Sequence, residues 1–105
     1  MEAVTDATFD TEVLRSALPV AVEFTAPWCR PCRTIEPFLE ELALELAGRL
    51  RVVSLDVDQN LRAPARYGVL TVPTVMLFSG GEPRVTLLGA NPKRRYAEAF
   101  APHLP

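Results

Sequence analysis

The chemistry-bearing residues of this sequence stand close together: Cys29 and Cys32, its only cysteines, within Phe24-Thr25-Ala26-Pro27-Trp28-Cys29-Arg30-Pro31-Cys32-Arg33. A Cys-x-x-Cys pair can exchange disulfides, supply half of a metal site, or staple the chain. The staple makes poor sense. Chain-entropy stabilisation is smallest for the shortest loops, and a chain of 105 residues can bury a hydrophobic core without one. A zinc site asks for four ligands, and the sequence adds a single imidazole, His103, almost at its end. Neither a metal set nor a Cys-His catalytic dyad is supported; His103 reads as a tail residue. The pair is read as redox-active.

Both thiols fall between a strand-like run, Val20–Thr25, and a long helical pattern, so they sit at a helix N-terminus. Positions i and i+3 of a regular helix have Cβ atoms about 5 to 6 Å apart, whereas a disulfide wants roughly 3.5 to 4.5 Å. That gap closes if Cys29 is the half-helical cap. Pro31 fits this placement, because a first-turn proline gives up an N–H that has no helical partner. Free N–H groups and the dipole at a helix start stabilise a thiolate. Cys29 is therefore the expected attacking thiol, and Cys32, deeper in the helix and more covered, the resolving one.

Several elements must position this pair. Phe9, Val13, Leu14 and Ala17 share a helical face that ends before Pro19. Ile35, Phe38, Leu39, Leu42 and Leu46 form the apolar stripe of the long helix, opposite Glu36, Glu40, Glu41 and Glu45, with Gly48 at its C-terminal end. Val52–Val57 reads as a buried strand and Leu61–Tyr67 as a short helix. Thr74–Ser79, the turn Gly80-Gly81 and Val85–Leu88 make a hairpin. Asn91 is the predicted N-cap, and Pro92 the first-turn proline, of a last helix carrying Tyr96, Ala97 and Phe100 and ending at Pro102. With no repeat or linker, the pattern predicts one α/β domain over residues 1–105, a central mixed sheet with helices on both faces.

Composition narrows the function. A formal charge of −2 gives no basic excess for nucleic acid, and Lys93-Arg94-Arg95 reads as solvated helix surface. No apolar run approaches the roughly 18 residues of a membrane span, and Met1–Asp6 lacks the features of a signal peptide. A cytoplasmic protein is expected, where a Cys-x-x-Cys pair is catalytic or metal-binding sooner than structural.

Trp28-Cys29-Arg30-Pro31-Cys32 resembles the Trp-Cys-Gly-Pro-Cys active site of the thioredoxin family, with Arg30 in place of glycine. The likeness continues in Phe9-Asp10-Thr11, Val57-Asp58-Gln59-Asn60, Tyr67-Gly68-Val69, Val72-Pro73-Thr74 and Gly89-Ala90, in the family's order and over nearly the whole chain. It implies the thioredoxin fold and a monomeric thiol-disulfide oxidoreductase that reduces protein disulfides. Such a protein needs no bound cofactor and is re-reduced by a partner thioredoxin reductase.

The resemblance also implies roles for residues that the pattern leaves open. Pro73 would be a cis proline beside the cysteines and Val72 a backbone partner for substrate, against the alternative of a proline at a strand start. Gly89 would admit substrate closely, or simply turn the chain. Trp28 would be a surface aromatic beside the site, against an ordinary core tryptophan; Arg30 and Pro31 complete the contact surface. Glu23, six residues before Cys29, alternates in a way that fits a solvent-facing strand position equally well. The resemblance makes it a buried carboxylate of raised pKa that exchanges a proton with Cys32, its reach running through a water.

Departures from the family pattern bear on redox behaviour. Ser54 replaces a frequent lysine partner of the buried acid, which makes Glu23 harder to ionise. Thr25 replaces a frequent aromatic, and Pro37 falls inside the long helix, where the family also has a proline and a kink is expected. For Arg30, a charge pair at roughly 7 Å in water is worth about 0.6 kcal/mol, or some 10 to 15 mV towards oxidising. That is too little to turn a reductase into an oxidase or isomerase; its cation bears more on which partner docks.

Overall fold

Residues 1–105 are described by a computed structural model. Its framework is a five-stranded sheet of order β1-β3-β2-β4-β5, formed by β1 (Glu2–Ala3), β2 (Val20–Thr25), β3 (Arg51–Asp56), β4 (Thr74–Ser79) and β5 (Glu82–Leu88). β2 lies at the centre, parallel to β3 and antiparallel to β4. Its first five residues are all buried, as expected of a strand covered on both faces, where an apolar run replaces simple alternation.

The two faces are packed by different elements. On one, Val20, Val22, Phe24, Val53, Leu55 and Met76 meet Phe9, Val13 and Ala63. Phe9 crosses Phe78 edge-on at 5.5 Å between ring centroids, a favoured aromatic geometry. On the other face, Ala21, Val75 and Leu77 meet α1 (Arg30–Glu45) through Ile35, Leu39 and Leu42, and α3 (Lys93–Phe100) through Tyr96 and Phe100. The three α1 side chains are almost wholly buried, worth about 1.5 to 3 kcal/mol each in transfer energy. That packing holds the start of α1 against the end of β2. No helix is long and apolar enough to cross a membrane.

Several boundaries differ from expectation. The first helical segment is a five-residue π-helical turn, Asp10–Leu14, capped at Arg15; Ala17 lies beyond it and is exposed. β1 has no apolar signature, both its residues being exposed, and exists through parallel pairing of Glu2 with Val53 and Ala3 with Ser54. β5 begins at Glu82 and includes Pro83, which an edge strand tolerates because one side of its backbone is unpaired. The β4–β5 turn puts Gly80 and Gly81 at φ +63 and +80, the paired left-handed conformation of a tight hairpin.

Asn91 is not the N-cap of α3. Pro92 occupies that position, while the Asn91 amide donates to the carbonyls of Leu88 and Gly89 and so tightens the exit from β5. The chain runs on from α3 into a 3₁₀ turn, Ala101–His103, that contains Pro102. α2 (Arg62–Arg66) is capped from a distance, since the Asp6 carboxylate accepts from the N–H groups of Arg62 and Ala63.

Candidate active site

Cys29 is the N-cap of α1, with extended backbone, and its Sγ accepts the N–H of Cys32 at 3.2 Å. The pair forms a disulfide with Cα atoms 5.3 Å apart, inside the usual range for such bonds. This is the half-helical cap that the i, i+3 spacing requires. Pro31 occupies the first turn, which contains no acidic residue, so nothing there opposes the helix dipole's stabilisation of a thiolate. Both sulfurs are covered in the oxidised form, Cys32 completely and Cys29 to within 3 %.

The turn before the helix is braced from two sides. Arg33 donates to the carbonyl of Pro27 at 3.0 Å. Trp28 is 67 % exposed, ruling out a core tryptophan, and its indole Nε1 donates to the Asp58 carboxylate at 2.9 Å. Arg30 and Pro31 are exposed on the same rim.

Opposite the disulfide, the Val72–Pro73 peptide bond is cis. Val72 packs against Ala26, Cys29 and Cys32, and the Pro73 carbonyl accepts the N–H of Gly89 at 2.9 Å. Gly89 has φ +72, and a Cβ on it would meet no protein atom within 4 Å; backbone conformation calls for the glycine, and the space above it is open. Beside the disulfide, Trp28, Val57, Val69, Leu70, Thr71 and Val72 line a mostly apolar groove of about 290 Å³. Leu70 stands there almost fully exposed.

Glu23 on β2 is completely buried, and neither carboxylate oxygen has a hydrogen-bond partner. Burial first, and then the negative charges of Glu36 and Glu40, push its pKa from 4.5 up to about 8. Its neighbour across β3 is Ser54, which carries no charge to offset this. Glu23, Glu36, Glu40, Ser54 and Met1 line a polar pocket of about 230 Å³. Glu36 is half-buried at this pocket and Glu40 borders it while staying exposed, as Glu41 and Glu45 are. The signal was available in their spacing: Cys32, Glu36 and Glu40 recur every four residues and make one row along α1. His103, in the closing 3₁₀ turn, takes no part in this constellation.

The family model described as Thioredoxin matches residues 1–101. Among curated relatives, Thioredoxin 1 of Synechococcus elongatus is 43 % identical over 102 residues, covering 97 % of this chain and 95 % of its own length. Thioredoxin of Rickettsia bellii is 43 % identical over 95 residues, 90 % of each chain. Thioredoxin M2, chloroplastic, of Arabidopsis thaliana is 39 % identical over all of this chain and 56 % of its own length.

Proposed function

The chain belongs to the thioredoxin family, and on that premise we propose how its residues divide the work of reducing protein disulfides by dithiol-disulfide exchange. Residues 1–105 act as one thioredoxin domain. The Cys29 thiolate attacks one sulfur of a substrate disulfide, forming a mixed disulfide and releasing the first substrate thiolate, which takes up a proton. Glu23 then accepts the proton of the Cys32 thiol. The Cys32 sulfur bonds to Cys29, the bond from Cys29 to substrate breaks, and the second substrate sulfur leaves as a thiolate that is protonated in turn. Two electrons pass from the dithiol to the substrate, and a partner reductase returns them.

One observation carries this assignment: Cys29 caps α1 with its sulfur on the Cys32 N–H, and the same fold buries an unpartnered carboxylate, Glu23, on the strand that leads to the pair. With a pKa of about 8, roughly one Glu23 in ten is ionised at pH 7 and ready to take a proton. Trp28, Arg30, Pro31, Val72, Pro73 and Gly89 form the substrate platform around the sulfurs, supported by the open apolar groove beside them. The sulfurs themselves hold the electrons, so the reaction calls for no bound cofactor, and we take the working form to be a cytoplasmic monomer.

Trapping separates the two thiols. Cys32→Ser should accumulate a mixed disulfide with a disulfide-bonded protein such as insulin, and Cys29→Ser should form none. The opposite pattern would reverse the assignment, and activity surviving in both variants would remove it.

A further inference from the structure

On the proposed mechanism Glu23 must lose and regain a proton in every cycle, yet it is fully buried. The one pocket it lines is shared with Glu36, Glu40, Ser54 and Met1 and has a volume of about 230 Å³. Liquid water takes about 30 Å³ per molecule, so several waters fit. Both Glu23 oxygens are without a protein partner.

Of the four glutamates on α1, three are engaged in ion pairs: Glu40 with the Met1 ammonium at 3.3 Å, and Glu41 and Glu45 with Lys93. Glu36 is the one left free. It stands one turn beyond Cys32, so the two Cβ atoms are neighbours on the helix surface at about 5 to 6 Å, and it is half-buried and lines the pocket with Glu23.

We propose that Glu36 is a positioning residue that passes the proton of Glu23 to and from solvent through this pocket while Cys32 resolves the mixed disulfide. The inference rests on the reading of Glu23 as the group that deprotonates Cys32. The charged groups around Glu23 are Glu36 and Glu40 from α1 and the Met1 ammonium from the N-terminal segment; Ser54 on β3 is neutral. After resolution the proton moves from the Glu23 carboxyl to the Glu36 carboxylate, directly or across one water, and from there to bulk water. Glu40, tied to the ammonium, stays outside the path.

The test follows release of the second thiol, in a single turnover of reduced protein with a small aromatic disulfide, across the pH range. Glu36→Gln should slow resolution about tenfold near neutral pH, Glu36→Asp should recover most of that loss, and imidazole buffer should partly rescue the glutamine variant. Carbon-13 titration should show Glu23 holding its proton roughly tenfold less tightly in Glu36→Gln. In a Glu23→Gln background the same change should alter the rate by less than about twofold, since no acid remains to relay for. An unchanged rate and pH midpoint in Glu36→Gln, or equal slowing in both backgrounds, would overturn the relay while leaving Glu23 its role. A parental rate in Glu23→Gln alone would remove the premise instead.

Discussion

Glu23 and Ser54 lie directly across from one another on the parallel strands β2 and β3, a buried carboxylate facing a side chain that has no charge to offer it. Burial is therefore left to dominate, and it holds the Glu23 pKa at about 8. Ser54 also lines the Glu23 pocket, so a longer cationic side chain has room to reach the acid. Ser54→Lys should lower the Glu23 pKa by about one pH unit or more, as an opposite charge at close range does. A carbon-13 titration of the carboxyl reads this directly; an unmoved midpoint would mean that position 54 does not address Glu23.

The raised pKa carries a stability consequence with a definite sign. Glu23 titrates near 8 when folded and near 4.5 otherwise, so between those values the folded state binds more protons than the unfolded one. Stability then falls as pH rises from about 4.5 to about 8 and levels off above, by an amount on the order of a few kcal/mol. Glu23→Gln should abolish this slope, making the oxidised protein more stable than the parent at pH 8 and nearly equal to it below pH 4.5. Urea denaturation at a series of pH values decides it, and a flat parental profile would contradict a buried titrating acid.

Asp58 anchors Trp28, the chain's single tryptophan, at a surface where substrate is proposed to dock. Asp58→Ala should free the indole, seen as faster decay of its fluorescence anisotropy, while changing stability by less than about 1 kcal/mol, as is usual for exposed polar contacts. Because a pre-ordered aromatic loses less freedom on binding, kcat/KM for a protein disulfide should drop severalfold and that for a small disulfide should not. Equal loss with both substrates would point to the chemistry of the cysteines instead of docking.

Legibility in the sequence followed how local each signal was. The stripe Ile35, Leu39 and Leu42 and the cap geometry of Cys29 are set within a few residues, and both were readable. Glu23 was ambiguous because β2 is central: burial on both faces removes the contrast that alternation relies on, and only an acid embedded in an otherwise apolar run hinted at its depth. β1 left no trace, since Glu2 and Ala3 are exposed and owe their conformation to residues some fifty positions away. Asn91 matched a helix-capping pattern, yet its amide found partners in Leu88 and Gly89, acceptors that only the folded turn at the end of β5 presents. Helical periodicity sets Glu36 and Glu40 opposite the apolar stripe but does not show that both border the Glu23 pocket, because it distinguishes faces and not the edge they share.

Arg30 allows charge to be separated from backbone as a determinant of redox poise. It is the first residue of α1 and is exposed, so its guanidinium acts on the thiolates largely through water, where a charge pair at roughly 7 Å is worth about 0.6 kcal/mol. That corresponds to some 10 to 15 mV, against the roughly 90 mV that separates thioredoxin-like from isomerase-like potentials. Arg30→Gln removes the charge and keeps the helix start; Arg30→Gly removes the charge and adds the backbone freedom of glycine. Equilibration with defined thiol buffers should place the parent near about −270 mV, with Arg30→Gln lower by no more than about 15 mV. Any further change in Arg30→Gly then measures what the stiffness of the helix start contributes. A parental potential near −180 mV, restored to the reductase range by Arg30→Gln alone, would show that the cation is far less screened than its exposure implies.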